Sequence, residues 1–225
     1  VLPELQAQEQ VRKNHREKKT VLIVDDSPYI VDGLVALLKR KGFNTVACHG
    51  GEEALATLSS TKPDLILLDI MMEPMDGWET LGKIKADTAT ADIPVLMFSA
   101  KKITPEEAQE HCLSIEDFVS KPVNPAQLLD AINRIFERRT AVKNESTQAK
   151  DKGVDPVLIE EYAALRKSIE VDKNLLVVLK KSSGTHFPGR EVPAEDFAAI
   201  SRLEAKILAD EERFRQINGK INPCT

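Results

Sequence analysis

The chain has 225 residues, 42% of them hydrophobic and 30% charged, and a formal net charge of −5. That is material for one large or two modest soluble domains; no apolar run approaches the roughly 20 residues that span a bilayer, and the acidic balance argues against a globally basic nucleic-acid binder. The charge is unevenly placed: residues 20–140 carry 12 basic against 19 acidic side chains, whereas residues 151–225 carry 12 against 13. An acidic unit followed by a nearly neutral one points to two domains. Cys48, Cys112 and Cys224 are scattered and odd in number, the usage expected of reduced thiols in a cytoplasmic protein rather than of a metal cluster or a disulfide framework.

Residues 1–18 read as a polar tail without the apolar stretch of a secretory leader. Val21-Leu22-Ile23-Val24 is then a continuous apolar run, as in a parallel strand covered on both faces. It stops at Asp25-Asp26, and Ser27-Pro28 supply an N-cap and a first-turn proline. Ile30, Leu34, Leu37 and Leu38 follow at helical spacing, and Gly42 closes the helix. The same grammar repeats. Phe43 to Cys48 is a short strand and Glu52 to Ser60 a short helix; Leu65 to Leu68 is a buried strand ending at Asp69. Trp78, Leu81 and Ile84 mark a helix, and Val95 to Phe98 a strand ending at Ser99. Thr104-Pro105-Glu106-Glu107 forms a capping box. Asp117-Phe118-Val119 leads to Lys121-Pro122, and Asn124-Pro125 opens a helix carrying Leu128, Leu129, Ile132 and Phe136.

Strands alternating with helices in this way predict a doubly wound, five-stranded parallel α/β domain over residues 19–138. Residues 139–154 lose the apolar period and are expected to form a linker, with Arg138-Arg139 as a solvated helix end. Residues 155–225 then read as an α-helical hairpin. Leu158, Tyr162, Leu165, Ile169, Asp172, Leu176 and Leu179 form one heptad-like seam, and Ile200, Leu203, Ile207, Asp210, Phe214, Ile217 and Ile221 form the other. Each seam carries one aspartate. A two-helix hairpin cannot bury both seams fully, so a homodimer is expected.

Ligands of doubly wound sheets bind beyond the carboxyl ends of the strands, and Asp25, Asp26, Asp69, Ser99 and Lys121 all fall there. The motifs VLIVDD, DLILLDIMMEPMDGW, PVLMFSA and FVSKP, in this order and spacing, resemble the receiver domain of two-component response regulators. The resemblance implies a flavodoxin-like fold with strand order 2-1-3-4-5. It makes Asp69 the phosphoacceptor, with Ser99 and Lys121 holding phosphoryl oxygens. It implies Mg²⁺ held by Asp25, Asp26, Asp69 and the backbone carbonyl of Met71, a cis bond between Lys121 and Pro122, and a switch pair of Ser99 and Phe118. The implied partner is a cognate histidine kinase, with no catalytic turnover of its own. One feature departs from the family pattern: Glu73 stands where proline is usual, and Pro74 follows. Met71 and Lys101 occupy the positions that set phosphate lifetime, and Met71 cannot hold an attacking water, so the phosphoryl state is expected to be long-lived.

The wording DIMMEPMDGW and a helical output without a standard effector are similar to response regulators of methanogenic archaea. Two other functions compete. A DNA-binding transcriptional regulator is disfavoured by the neutral charge of the C-terminal part. A haloacid-dehalogenase-type phosphatase needs a second Asp two residues after the nucleophile, and Met71 stands there.

Overall fold

The computed structural model describes residues 18–100, 107, 111, 114–182 and 194–222. The polar tail, residues 101–106 of the capping-box segment with Lys101, and Cys112 and Cys224 lie outside them. Strand β1 (Thr20–Val24) has Val21 to Val24 fully buried, as its unbroken apolar run requires. Helix α1 (Pro28–Arg40) starts with Ser27 at the N-cap position and Pro28 in its first turn, but the serine side chain makes no capping hydrogen bond. Instead, the Ser27 N–H donates to Asp25 Oδ1 at 2.8 Å. The helix buries Val31, Leu34, Leu37 and Leu38, and Gly42 follows it at a φ of 91°, a conformation open to glycine at little cost.

Strand β2 (Asn44–Cys48), helix α2 (Gly51–Leu58), strand β3 (Leu65–Asp69), helix α3 (Gly77–Ala86), strand β4 (Val95–Ser99) and strand β5 (Asp117–Ser120) continue the alternation. The sheet has five strands in the order β2-β1-β3-β4-β5, with parallel pairing of β1 to β2, β1 to β3, and β4 to β5. This is the doubly wound, flavodoxin-like arrangement expected. Every residue of β3 and of β4 is buried, which makes the ends of those strands rigid mounting points. Among the described residues, no helix is long and apolar enough to cross a membrane.

The described residues fall into two compact units, one of 18–68 and 72–93 and one of 69–71 and 94–222. The first holds β1, β2, most of β3 and helices α1 to α3; the second holds β4, β5 and three long helices. Of these, α4 (Pro125–Asp151) is capped by the Asn124 side chain, which accepts from the N–H groups of Ala126 and Gln127. The segment expected to be a linker, residues 139–154, is helical as far as Asp151, and Gly153 at a φ of 76° marks its end. The sequence 126–152 contains neither glycine nor proline, and good helix formers dominate its exposed face. Periodicity was weak because only Arg138 and Ala149 are buried beyond position 136.

Helices α5 (Pro156–Ser182) and α6 (Ala194–Ile221) form the expected antiparallel hairpin. The end of α4 joins it, so the C-terminal part is a three-helix unit. Ala149 of α4, Ile159 and Tyr162 of α5, and Ile217 and Ile221 of α6 share one core. The Tyr162 and Phe214 rings stack at 5.0 Å. Helix α5 also buries a second stripe, Ser168, Val171 and Leu175, beside the heptad seam.

The seam aspartates are linked by a lysine that the apolar pattern did not flag. Lys206 Nζ contacts Asp172, Ser168 Oγ at 2.7 Å and Asp210 Oδ2 at 3.1 Å. Burial pushes the Lys206 ammonium down, but Asp172 and Asp210 outweigh it and hold it above its usual range. Asp172 is fully buried, and its Oδ1 has no hydrogen-bond partner among the described residues. Replacing a buried ion pair by hydrophobes is often neutral or stabilising, whereas removing one partner strands the other. The double substitution Asp172→Leu with Lys206→Met is therefore expected to leave the urea midpoint unchanged or raise it. Lys206→Met should lower stability by roughly 1–3 kcal/mol, the buried-pair value discounted for the half-exposed lysine.

Candidate functional site

Each candidate side chain sits where a strand ends. Asp25 follows β1 and is fully buried; its N–H donates to the Cys48 carbonyl at 3.2 Å, tying it to the end of β2. Asp26, next in the chain, is exposed. Asp69 closes β3 and is only 3% exposed, with its Oδ1 accepting from the Ile70 N–H at 2.8 Å. Carboxylate oxygens of Asp25, Asp26 and Asp69 lie within 4.8 Å of one another. Two such charges repel by about 4 kcal/mol at 4 Å with an effective dielectric of 20. The donor set is three hard oxygens, which suits Mg²⁺ with several waters retained.

Lys121 answers part of that charge. Its Nζ lies 2.9 Å from Asp69 Oδ2 and 4.6 Å from the centre of the Phe98 ring. Its N–H donates to the Ser99 carbonyl at 2.8 Å, so the end of β4 positions the lysine directly. The Lys121–Pro122 bond is cis, as expected, and the Glu73–Pro74 bond in the departing loop is cis as well. Asp76 caps α3 by accepting from the Glu79 N–H at 2.8 Å. Ser99 is 1% exposed, whereas the Met71 side chain is 55% exposed. The structure thus brings Asp25, Asp26, Asp69 and Lys121 together, with Ser99 at the adjacent strand end.

Phe118, the expected switch aromatic, is buried in β5. It lines a cavity of about 550 Å³ together with Ser99, Lys121, Asn174 and Val178. The last two belong to α5, which the sequence assigned to a separate output domain. The residues before Phe118 explain the contact. Glu116 is buried, and Arg138 donates to its Oε2 at 2.5 Å and to its carbonyl at 3.1 Å. Arg138 also reaches Glu170 of α5 at 2.5 Å, and Arg139 and Lys167 approach the same Glu116 carboxylate. Asp117, also buried, accepts from Arg134 and from Asn174 Nδ2, both at 3.1 Å. Arg138 is thus no solvated helix end; it is a buried joint between β5, α4 and α5. The Glu116-Asp117 pair was the available signal, because acids at the mouth of a buried strand need cations brought to them.

The described geometry defines a receiver: an acidic triad and a lysine at the carboxyl ends of a parallel sheet. Comparison with known proteins agrees. Residues 21–133 match the family described as response regulator receiver domain, and the chain belongs to that family. Residues 138–224 match the family described as Metanogen output domain 2. The chain is 32% identical over 120 residues to the phosphate regulon transcriptional regulatory protein PhoB of Pseudomonas aeruginosa, covering 53% of this chain and 52% of that protein. It thus spans about half the length of that relative. It is 28% identical over 212 residues to the DNA-binding response regulator MtrA of Mycolicibacterium smegmatis, covering 87% of this chain and 90% of that one. Among solved structures, it is 57% identical to the N-terminal domain of a response regulator receiver protein from Methanoculleus marisnigri, with a TM-score of 0.45, over 51% of this chain and 94% of that one.

The buried joint has a pH signature. Burial pushes the Glu116 carboxyl up, but Lys167, Arg138 and Arg139 outweigh it and hold it below the usual carboxylate range. A depressed folded value contributes stability above the unfolded value of about 4.3 and loses it as pH falls through the folded one. Glu116→Gln should therefore be less stable than wild type at pH 7, and the gap should narrow as thermal melts move toward pH 3. A gap that is constant with pH would show that folding does not shift the Glu116 pKa and would contradict this reading.

Proposed function

We propose that this protein is the response regulator of a two-component phosphorelay, phosphorylated on Asp69 by a cognate histidine kinase and signalling through its C-terminal helices by protein–protein interaction or dimerisation in the cytoplasm. The observation that carries the reading is the buried Asp69 carboxylate beside the other two acids, with Lys121 Nζ 2.9 Å away. An Asp69 oxygen attacks phosphorus, the phosphorus–nitrogen bond of the donor phosphohistidine breaks, and the imidazole departs. Phosphoryl transfer asks mainly for alignment and charge cancellation. Lys121 supplies a flexible point charge for one phosphoryl oxygen, and Ser99 a hydroxyl for another. Asp25, Asp26, Asp69 and the Met71 carbonyl would hold Mg²⁺, which supplies the remaining positive charge when bound. The site is a phosphoacceptor rather than a turnover catalyst, so phosphate monoesters should not be hydrolysed catalytically.

The similarity, over 87% of this chain, to a protein described as a DNA-binding response regulator favours a second reading, a DNA-binding output. Such binding would fall steeply with salt through counterion release. The near balance of 12 basic against 13 acidic residues in 151–225 weighs against it.

Light scattering with Mg²⁺ and beryllofluoride tests the main reading. We expect a shift in solution mass or a bound fluoride signal in wild type and neither in Asp69→Ala; a wild type that fails to bind beryllofluoride overturns the proposal. Because the Met71 side chain offers no polar atom to an attacking water, the phosphoryl half-life should run to minutes or longer. A decay over seconds, measured with radiolabelled acyl phosphate, would contradict that.

A further inference from the structure

Three chain segments meet at the N-terminal ends of β1, β2 and β3. Lys18 and Lys19 lead into β1, residues 39–44 carry the end of α1 into β2, and residues 59–64 join α2 to β3. Hydrogen bonds hold them side by side. The Asn44 N–H donates to the Lys19 carbonyl at 2.9 Å and its Nδ2 to the Lys18 carbonyl at 3.3 Å, and the Thr20 N–H donates to Asp64 Oδ2 at 2.9 Å. These segments contain six basic residues, Lys18, Lys19, Lys39, Arg40, Lys41 and Lys62, and one acid, Asp64. All six are exposed, and Asp64 pairs with Lys19 at 2.7 Å. We propose that this edge of the receiver binds the phosphate backbone of duplex nucleic acid without reading its sequence.

The charge here runs against the rest of the domain. Residues 20–140 carry 12 basic against 19 acidic side chains. Asp25 and Asp26 stand at the other end of β1, about 20 Å away at 3.3 Å per residue. Cations at a helix end complement its dipole, which accounts for Lys39 and Arg40 but not for Lys18, Lys19 and Lys62. The sequence before Lys18 continues the pattern, with Arg12, Lys13 and Arg16 against Glu17.

The partner's chemistry follows from what accompanies the charge. Among the described residues, none of the large exposed hydrophobics lies at this edge. A lipid surface is held by apolar side chains as well as charge, unpaired bases by aromatic platforms, and a protein partner by an apolar core. A cluster of cations alone matches the duplex backbone, whose closely spaced phosphates are bound through counterion release. The contact lies on the receiver rather than on the C-terminal helices, and it is independent of Asp69.

Fluorescence anisotropy of a short labelled duplex of arbitrary sequence tests the proposal on the full chain. Wild type should bind, with log Kd rising against log salt at a slope of about 5, the value for six phosphate contacts. Lys39→Gln, Arg40→Gln, Lys41→Gln and Lys62→Gln together should weaken binding by about tenfold or more and flatten the slope by about 1 per side chain. A thermal melt checks that this variant is folded; Lys62→Gln alone, with a slope lower by about 1, carries the test if it is not. Absence of binding at low salt, or equal binding by wild type and the fourfold variant, overturns the proposal. So does a loss confined to Arg202→Gln with Arg215→Gln on α6, or tighter binding at the same salt to vesicles of phosphatidylserine and phosphatidylcholine than to the duplex.

Discussion

Repulsion among acids that cannot move apart is the constraint around which the rest of the molecule is organised. Asp25 and Asp69 are almost wholly buried and stand at the ends of strands whose residues have no room to relax. In a flexible loop the carboxylates would rotate into water; here β1 and β3 hold them. Lys121 reduces the charge by one and is itself held through its main chain by Ser99. A site with residual negative charge and hard oxygen donors favours a divalent cation, and an anionic phosphoryl group becomes acceptable only with that cation and the lysine in place. The same rigidity fixes the positions of these donors.

The second consequence lies on β5. Glu116, just before it, and Asp117 and Phe118 within it are buried, and neither acid is neutralised within the strand. Cations come from α4, as Arg134, Arg138 and Arg139, and from α5, as Lys167. Because α4 runs unbroken from Pro125 to Asp151, the helix that follows β5 also supplies the third helix of the C-terminal core. Within α4 no loop interrupts the path from Pro125 to that core. A tilt of the start of α4 is therefore carried to Ala149 and the residues packed around it.

Much of this was legible in the amino-acid order, for identifiable reasons. Val21 to Val24, Leu65 to Leu68 and Val95 to Phe98 are apolar without interruption, so burial on both faces and strand identity coincide, and the polar residues that end them stand out. The seams of α5 and α6 were legible because two buried faces with the same period must pair. The continuation of α4 through residues 139–151 was not, because a helix that buries only Arg138 and Ala149 over that stretch leaves no apolar stripe to detect. Arg138 was misread for a related reason: an arginine looks solvated until its acids are known, and Glu116 and Glu170 lie far from it in sequence. The second buried stripe of α5 escaped because it includes Ser168 and has Asp172 beside it, which break its apolar continuity.

The polar seams also bear on how the two parts communicate. Lys206 between Asp172 and Asp210, and Arg138 between Glu116 and Glu170, are both cations held by acids from separate elements. Pairs of this kind contribute less net stability than apolar packing of equal volume, because desolvation offsets much of the attraction. They do penalise wrong registers, since a shift of one turn leaves a buried charge alone. In α5 and α6 that penalty keeps the hairpin in one alignment while its outer faces stay free to vary. At β5 the same chemistry fixes which residues of α4 and α5 face Glu116 and Asp117.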